Sequence, residues 1–533
     1  MAHAAEVHDG GPLVRRASSS TVASLFDARV RVHPDRVALE DASRSLTYGE
    51  VAQRTRRLAG FLAARGVGRG DRIAVLSENR LEYLELFLAA ARLGAIVACQ
   101  NWRLAPAELA HCLALVEPLL IFASPRHADR LGAGAPIVFG DDYESIVADA
   151  AADEGALAPA VRPEVQPEDP LLILYTSGTT GLPKGAVLSH RAEIVRNLVT
   201  RAEFGVGVTD TFVAWSPLYH MGAVENSLGA LMTGGSVIVV DGFDEARLAE
   251  LVATRELGWL LLMPGMVGPF AEELRRRGVE PKGVRVCGVM ADLVPPAEIA
   301  AITELLRAPY ANTFGATETG CPPCSSNLIP IGFAPARLSK EISPFCEVRL
   351  VGADGRDVPD GDPGELAMRG PTLFSGYWRA AETNAQDFRD GWFFMGDVFV
   401  RNPDGTVDFV DRVKYLIKTG GENVYPAEIE RVLLQDPRVA DAAVVRRADA
   451  KWGEVPVAFV ARKPAFAGQP EVTAKELYAR CRAELAGYKQ PKGIAFIAFD
   501  EFPRSASGKV QGFLYWQDTA RTGEMMPSAS IRA

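Results

Sequence analysis

Leu174-Tyr-Thr-Ser-Gly-Thr-Thr-Gly-Leu-Pro-Lys184-Gly-Ala-Val187 follows an apolar run, residues 171–174, that reads as a short buried strand. Between Thr176 and Lys184 lie Gly178 and Gly181, four hydroxyl side chains and one lysine. Glycines let a backbone turn sharply and bring its N–H groups close to an anion. The hydroxyls of Thr176, Ser177, Thr179 and Thr180 can donate to phosphate oxygens, and Lys184 adds a positive charge. The composition is that of a loop that holds a polyphosphate. It is not a Walker A loop, in which Gly-Lys is followed by Ser or Thr. Here Gly185 follows Lys184, and the other Gly-Lys pair, Gly508-Lys509, is followed by Val510. An ordinary turn between a strand and a helix is the alternative reading of these residues.

The chain has 533 residues, enough for roughly three or four structural units. Its 48% hydrophobic and 23% charged residues are the proportions of a globular enzyme, not of a disordered or membrane chain. A net charge of −10 argues against nucleic acid as a partner, so anionic substrates must meet local positive sites. No apolar stretch has the length of a membrane span, and the first twenty residues lack the apolar core of a signal peptide. Seven scattered cysteines make no disulfide framework and fit a reducing cytoplasm. Cys321-Pro-Pro-Cys324 lacks the second pair that a zinc site needs, and reads as two reduced thiols in a loop.

Along the chain, helical and strand patterns alternate. Tyr48-Gly-Glu-Val-Ala-Gln-Arg-Thr-Arg-Arg-Leu-Ala predicts an amphipathic helix, residues 72–77 a strand, 81–93 a helix and 95–98 a strand. Strand-like runs recur at 236–240, 260–263 and 284–289. This rhythm predicts an α/β fold with a wound, largely parallel sheet. The Ala/Glu/Pro-rich stretch 151–170 reads as a surface linker. From about 332 to 411, short strands alternate with turns such as Asp354-Gly, Asp360-Gly and Asp404-Gly, which suits a small β-barrel-like subdomain. Helix–strand alternation then resumes, and residues 521–533 are polar and rich in small side chains.

The string Tyr175-Thr-Ser-Gly-Thr-Thr-Gly-x-Pro-Lys184-Gly resembles the phosphate loop of the adenylate-forming superfamily, which includes acyl-CoA synthetases, adenylation domains and luciferases. By that resemblance, Thr176, Ser177, Gly178, Thr179, Thr180, Gly181 and Lys184 grip the phosphates of ATP. Asn312-Thr-Phe-Gly-Ala-Thr-Glu318 resembles the family's second signature. It implies that Asn312, Thr313, Phe314 and Gly315 meet the nucleotide, with Phe314 against adenine. Thr317 then meets phosphate or the substrate carboxylate, and Glu318 holds Mg²⁺ together with Thr317. Read without the family, Thr317-Glu318 would suit the start of a helix. Asp397 and Arg412 match the pair that the family places on the ribose hydroxyls, and Lys509, in Pro503-Arg-Ser-Ala-Ser-Gly-Lys509, matches its C-terminal catalytic lysine. The family often has a basic residue three places after that lysine, where this chain has Gly512.

Tyr219-His220 falls where acyl-CoA ligases carry an aromatic–histidine pair and amino-acid-activating domains carry an aspartate, which favours a simple carboxylic acid. The resemblance gives His220, with Lys509, Glu318 and Thr317, a catalytic role. Lys418, Gly420 and Gly421, after a hinge at Lys414, match the segment that lines the pantetheine channel. Pro426 is expected to open a helix there with an acidic first turn. The family's Gly-Gly-Ala-Pro-Leu at a pocket-lining strand end corresponds to Val289-Met290-Ala291-Asp292-Leu293. Val and Met in place of two glycines should fill space and favour a compact apolar, medium-chain or aromatic acid. Tyr219, His220, Val289, Met290, Ala291 and Gly315 are the candidate acid-binding residues. Glu225 and Asn226 can meet a polar substituent or cap the pocket mouth, and no arginine stands near them to hold a second carboxylate.

The resemblance covers nearly the whole chain. It implies a large N-terminal α/β domain, residues 21–411 with the barrel-like subdomain at about 332–411, after a flexible stretch 1–20. A small mobile α+β C-terminal domain, 412–520, would follow, then a flexible tail, 521–533. The implied function is an AMP-forming acid–thiol ligase that uses ATP, Mg²⁺ and coenzyme A on a small-molecule carboxylic acid, with a homodimer as the candidate assembly. The alternatives are an acyl-AMP ligase that loads a separate carrier protein, an oxidative luciferase-like enzyme, and a non-catalytic ATP- or acyl-binding protein.

Overall fold

The computed structural model describes residues 19–132, 135–149, 164–176, 182–419, 422–449, 451–463, 470–502 and 526–527. Its contacts divide the chain into two compact units. The first comprises residues 1–335, 343–346 and 370–386, and the second 336–342, 347–369 and 387–533. Most strands of the expected barrel-like region are thus grouped with the C-terminal segment.

Two wound sheets organise the first unit. One has the strand order Ile137–Val138, Leu120–Ala123, Arg72–Leu76, Ile96–Gln100, Pro170–Thr176 and Lys184–Ser189. All its neighbours are parallel except the last pair, which is antiparallel. The other runs Leu328–Ile329, Tyr310–Ala311, Gly283–Cys287, Glu256–Leu260, Thr211–Ala214, Ser236–Val239, Val37–Glu40 and Ser45–Thr47. Its middle strands are parallel and its two outermost pairs antiparallel. Strands buried on both faces need continuous apolar sequence, as at Ile96–Gln100, where all positions are buried. Helix Leu81–Leu93 is buried at every residue except Arg92, and it packs on strands Ile96–Gln100 and Pro170–Thr176. The predicted amphipathic helix spans Tyr48–Ala64, opened by a reciprocal cap between Thr47 and Glu50.

Asn79 fastens the two sheets together. Its amide donates to the carbonyls of Ala214 and Ser216 at 3.0 and 2.8 Å, and its Oδ1 accepts from the Leu218 N–H at 2.8 Å. One buried side chain therefore ties the end of the first sheet's Arg72–Leu76 strand to the loop that leaves the second sheet at Ala214.

Two expectations need correction. The run 260–263 is not a strand: the strand is Glu256–Leu260, and Pro264, with no N–H and a fixed φ, favours the turn that closes from Met263 to Met266. Cys321 and Cys324 lie in strand Gly320–Cys324, not in a loop, because Pro323 sits opposite Gly315 at a break in the pairing register.

The second unit contains a five-stranded antiparallel sheet, with Glu347–Val351, Pro363–Arg369, Trp392–Arg401 and Phe388–Arg389 in order and Val407–Arg412 also paired to Trp392–Arg401. Gly355, Gly361 and Gly405 take positive φ at the predicted Asp-Gly turns. A six-stranded mixed sheet follows, built around the long hairpin of Val439–Asp449 and Gly453–Arg462. Helices Pro426–Leu434 and Ala474–Glu484 pack on each other, and their apolar faces share its core. No helix among the described residues is long and apolar enough to cross a membrane.

Candidate active site

Parallel strands deliver their C-terminal ends to one edge of a sheet, where ligands of wound α/β folds bind. In the second sheet, Thr211–Ala214 leads to Tyr219-His220, Gly283–Cys287 to Val289-Met290-Ala291, and Tyr310–Ala311 to Asn312–Gly315. Three stretches singled out in the sequence, the outer two more than 90 residues apart, therefore meet at one edge.

Phe314–Ala316 and Gly320–Cys324 form an antiparallel hairpin with Thr317, Glu318 and Thr319 at its turn. Thr317-Glu318 is thus a hairpin tip, not a helix start. Thr319 Oγ1 accepts from the Ala316 N–H at 3.0 Å and fixes the turn. A Cβ at Gly315 would lie 1.9 Å from the Gly320 carbonyl oxygen, so close strand approach requires glycine there. Asn312 and Thr313 are buried, and Phe314 is half-buried.

Thr176 and Lys184 are cross-strand partners, so residues 177–183 join two antiparallel strands and do not lead into a helix. Ser177, Gly178, Thr179, Thr180 and Gly181 lie outside the described residues. Lys184 Nζ stands 4.8 Å from the centre of the Tyr377 ring, and the Tyr377 hydroxyl donates to Glu318 Oε1 at 2.8 Å. Tyr377 was not singled out in the sequence. It is placed by residues 375–378, whose backbone pairs with strand Lys184–Ser189 through Ser375 N to Val187 O, Val187 N to Gly376 O and Trp378 N to Gly185 O. One tyrosine thereby links the phosphate-loop lysine to the candidate metal ligand.

His220 caps helix Met221–Thr233, and its ring lies 5.3 Å from that of Tyr219. Burial, with a smaller contribution from Arg103, pushes the His220 pKa down to about 4, so the imidazole is neutral at physiological pH. Its Nε2 and the Tyr219 hydroxyl are buried and have no hydrogen-bond partner among the described residues. Met290 is half-buried with φ +49° and ψ +54°, a left-handed conformation unusual for a residue with a side chain. Its neighbours are pinned, since Tyr310 Oη donates to the Val289 carbonyl and Trp259 Nε1 to that of Gly288, each at 3.0 Å. The expectation that no arginine approaches Glu225 is overturned: Arg196 Nη1 donates to Glu225 Oε1 at 2.5 Å. Helix packing brings together two residues 29 positions apart.

In the second unit, Asp397 and Arg412 face each other on adjacent strands, and Arg412 Nε donates to Asp397 Oδ1 at 3.0 Å. Asp411 accepts the Arg412 N–H through Oδ1 and the Ala427 N–H through Oδ2, which holds the start of helix Pro426–Leu434. Lys414 lies in a short 3₁₀ turn, Val413–Tyr415. Lys418 is exposed on strand Ile417–Thr419, with Thr419 opposite Glu422 across the Gly420-Gly421 position. Gly420, Gly421 and Lys509 lie outside the described residues.

Among the described residues no three His, Cys, Asp or Glu side chains cluster as a protein-built metal cage. The oxygen donors of Thr317 and Glu318 at a half-buried hairpin tip suit Mg²⁺, which takes one or two protein ligands and fills its shell with water and phosphate oxygens.

The model of the AMP-binding enzyme family matches residues 26–378, and that of its C-terminal domain matches 428–509, ending at Lys509. The chain belongs to the AMP-binding enzyme family. It is 32% identical to the indoleacetate–CoA ligase of Aromatoleum aromaticum, with 91% of this chain and 96% of that protein covered. It is 35% identical to a feruloyl-CoA synthase of an Amycolatopsis species, with coverage of 90% and 96%. Its fold matches the ATP-bound RpMatB-BxBclM chimera B3 at TM-score 0.80 and 28% identity, over 94% of this chain and 99% of that one. The resemblance in the phosphate loop therefore holds along the whole molecule, and this AMP-binding enzyme is an AMP-forming acid–CoA ligase.

Proposed function

We propose that this ligase activates a compact apolar or aromatic carboxylic acid in two half-reactions served by one acid pocket. The observation that carries this reading is the convergence of Tyr219-His220, Val289–Ala291 and the 312–318 hairpin at one sheet edge, with Lys184, Tyr377 and Glu318 in sequence beside it. In the first step a carboxylate oxygen attacks the α-phosphorus of ATP and pyrophosphate leaves. Lys184 and the Thr176–Gly181 segment hold the β- and γ-phosphates. Asp397 and Arg412 hold the ribose, and Lys509 steadies the charge that builds on the α-phosphate. Magnesium, held by Glu318 and Thr317, would neutralise the departing pyrophosphate. His220, kept neutral by burial, offers a flat apolar face to the acid and places no charge against it.

In the second step the CoA thiol attacks the acyl carbon and AMP leaves. Rotation at Lys414 withdraws Lys509 and presents Lys418, Gly420 and Gly421 to the pantetheine arm. Val289 and Met290 in place of smaller residues, together with relatives named for indoleacetate and for feruloyl-CoA, support a compact or aromatic acid. All seven cysteines are free thiols, in keeping with a reducing cytoplasm. The test is Lys509→Ala, assayed for pyrophosphate release without CoA and for CoA-dependent AMP release. Acyl-AMP formation should fall at least about 100-fold, the scale of losing one charge-stabilising donor. Adenylation at the wild-type rate refutes the assignment of Lys509, and AMP release without any need for CoA refutes thioester formation.

A further inference from the structure

Helix Pro106–Val116 lies against the root of the hairpin that carries the phosphate loop, and holds both of its strands. Its buried residues, Leu109, Cys112 and Val116, recur at helical spacing and make one apolar face. Val116 shares a core cluster with Ile173 and Val187, one from each strand of the hairpin, and Tyr175 packs against that cluster. A Cβ at Gly185, the residue after Lys184, would stand 2.8 Å from Ile173 Cγ2 and 3.8 Å from Leu115 Cδ2, so helix and strand fit closely.

Two adjacent residues of this helix make the polar contacts. His111 Nε2 lies 3.2 Å from the Pro183 carbonyl oxygen. A carbonyl only accepts, so Nε2 carries the hydrogen and donates it. Next to it, the Cys112 carbonyl accepts from the Tyr175 hydroxyl at 2.9 Å, and that hydroxyl accepts from Gln100 Nε2 at 3.1 Å. Tyr175 immediately precedes Thr176, and Pro183 immediately precedes Lys184. The helix therefore grips the residue before each member of the Thr176–Lys184 cross-strand pair. Pro183 is buried and has no N–H, so its carbonyl is its one hydrogen-bonding group and needs a donor. That carbonyl shares a rigid peptide plane with the Lys184 nitrogen, so holding one orients the other. Lys184 is thus fixed at both ends, its backbone by His111 through Pro183 and its ammonium against the Tyr377 ring, 4.8 Å from Nζ.

We propose that His111 is a positioning residue for adenylation: by orienting the Pro183–Lys184 peptide it sets where the Lys184 ammonium meets the β- and γ-phosphates of ATP. This rests on the reading of Lys184 as a phosphate grip and names the residue that aims it. The test needs no acid substrate. ATP with Mg²⁺, and AMP, are titrated calorimetrically into the full-length protein and its variants, because AMP lacks the two phosphates concerned. His111→Asn, whose amide nitrogen falls short of the Pro183 carbonyl, should weaken ATP binding about tenfold, the effect of one hydrogen bond, and leave AMP within about twofold. His111→Gln, whose Nε2 has the reach of the imidazole Nε2, should bind both nucleotides within about threefold of the wild type. Wild-type ATP affinity in His111→Asn, an equal loss of ATP and AMP, or a glutamine no better than the asparagine overturns the positioning role. Lys184→Ala serves as the reference. Unchanged ATP affinity there sinks the phosphate grip and this proposal together, whereas a loss there without one in His111→Asn sinks the proposal alone. A measurement on the wild type decides the matter even if His111→Asn does not fold. In ¹⁵N-histidine NMR, the signal that His111→Gln removes should be that of an Nε2–H imidazole, and a neutral Nδ1–H tautomer overturns the contact.

Discussion

Met290 pays for its position with a left-handed backbone, worth about 1–2 kcal/mol against a residue with a Cβ. Met290→Gly relieves that strain but frees the unfolded chain by about 0.5–1 kcal/mol, so stability should change by no more than about 1 kcal/mol. The visible effect belongs to specificity. With Met290 assigned to the proposed acid pocket, removing the thioether should deepen that pocket, and acids longer by two or three methylenes should gain roughly tenfold or more in kcat/KM. A substrate profile that does not shift would remove Met290 from the pocket wall. Tyr377 is the residue that the motifs did not reveal, because its partners, Lys184 and Glu318, lie far from it in the chain. Tyr377→Phe deletes the hydrogen bond that orients Glu318, an interaction with a charged acceptor worth about 1.5–3 kcal/mol. It should raise the Mg²⁺ concentration needed for half-maximal adenylation by roughly tenfold and spare the KM for the acid, measured by pyrophosphate release over a Mg²⁺ series.

At the scale of elements, the hairpin of Phe314–Ala316 and Gly320–Cys324 depends on one missing side chain. Gly315→Ala would place a methyl 1.9 Å from a backbone carbonyl, and backbone cannot give way as a side-chain tip can. The variant should lose about 2–3 kcal/mol of stability or more, and ATP binding with it, read from thermal melts with and without nucleotide. The sequence located this segment, but its hairpin form was not legible, because Ala316-Thr-Glu carries no strong turn signal and the helix-start reading fits equally. By contrast the helix Leu81–Leu93 and the strand Ser236–Val239 fall where apolar runs and flanking signals place them. Strand Glu256–Leu260 escaped because apolar sequence continues to Met263, so hydrophobicity alone gave no boundary.

For the whole molecule, buried ionisable groups make stability depend on pH from both sides. Burial pushes the pKa of His190, like that of His220, down to about 4. Between pH 6.5 and 4 the unfolded chain binds protons that these folded histidines refuse, so stability must fall as the pH is lowered through that window. Glu193 acts in the opposite sense. Its folded pKa is raised, so as the pH rises above about 4.5 the unfolded chain loses a proton that the folded chain keeps, and stability falls. Glu193→Gln should therefore raise Tm at pH 8 and change it little at pH 4. His190→Gln should shrink the loss of Tm between pH 7 and pH 5. An unchanged Tm at pH 8 in Glu193→Gln would show that Glu193 is ionised in the folded protein. The sequence alone determined the reaction class, because the motifs that resemble those of the family are short, contiguous stretches such as Thr176 to Lys184 and Asn312 to Glu318, whose chemistry is written in consecutive residues. The pairings of Tyr377 with Glu318 and of Arg196 with Glu225 were decided only by the tertiary structure. Parallel strands bring distant strand ends to one edge, and no local pattern in a chain records which distant ends will meet.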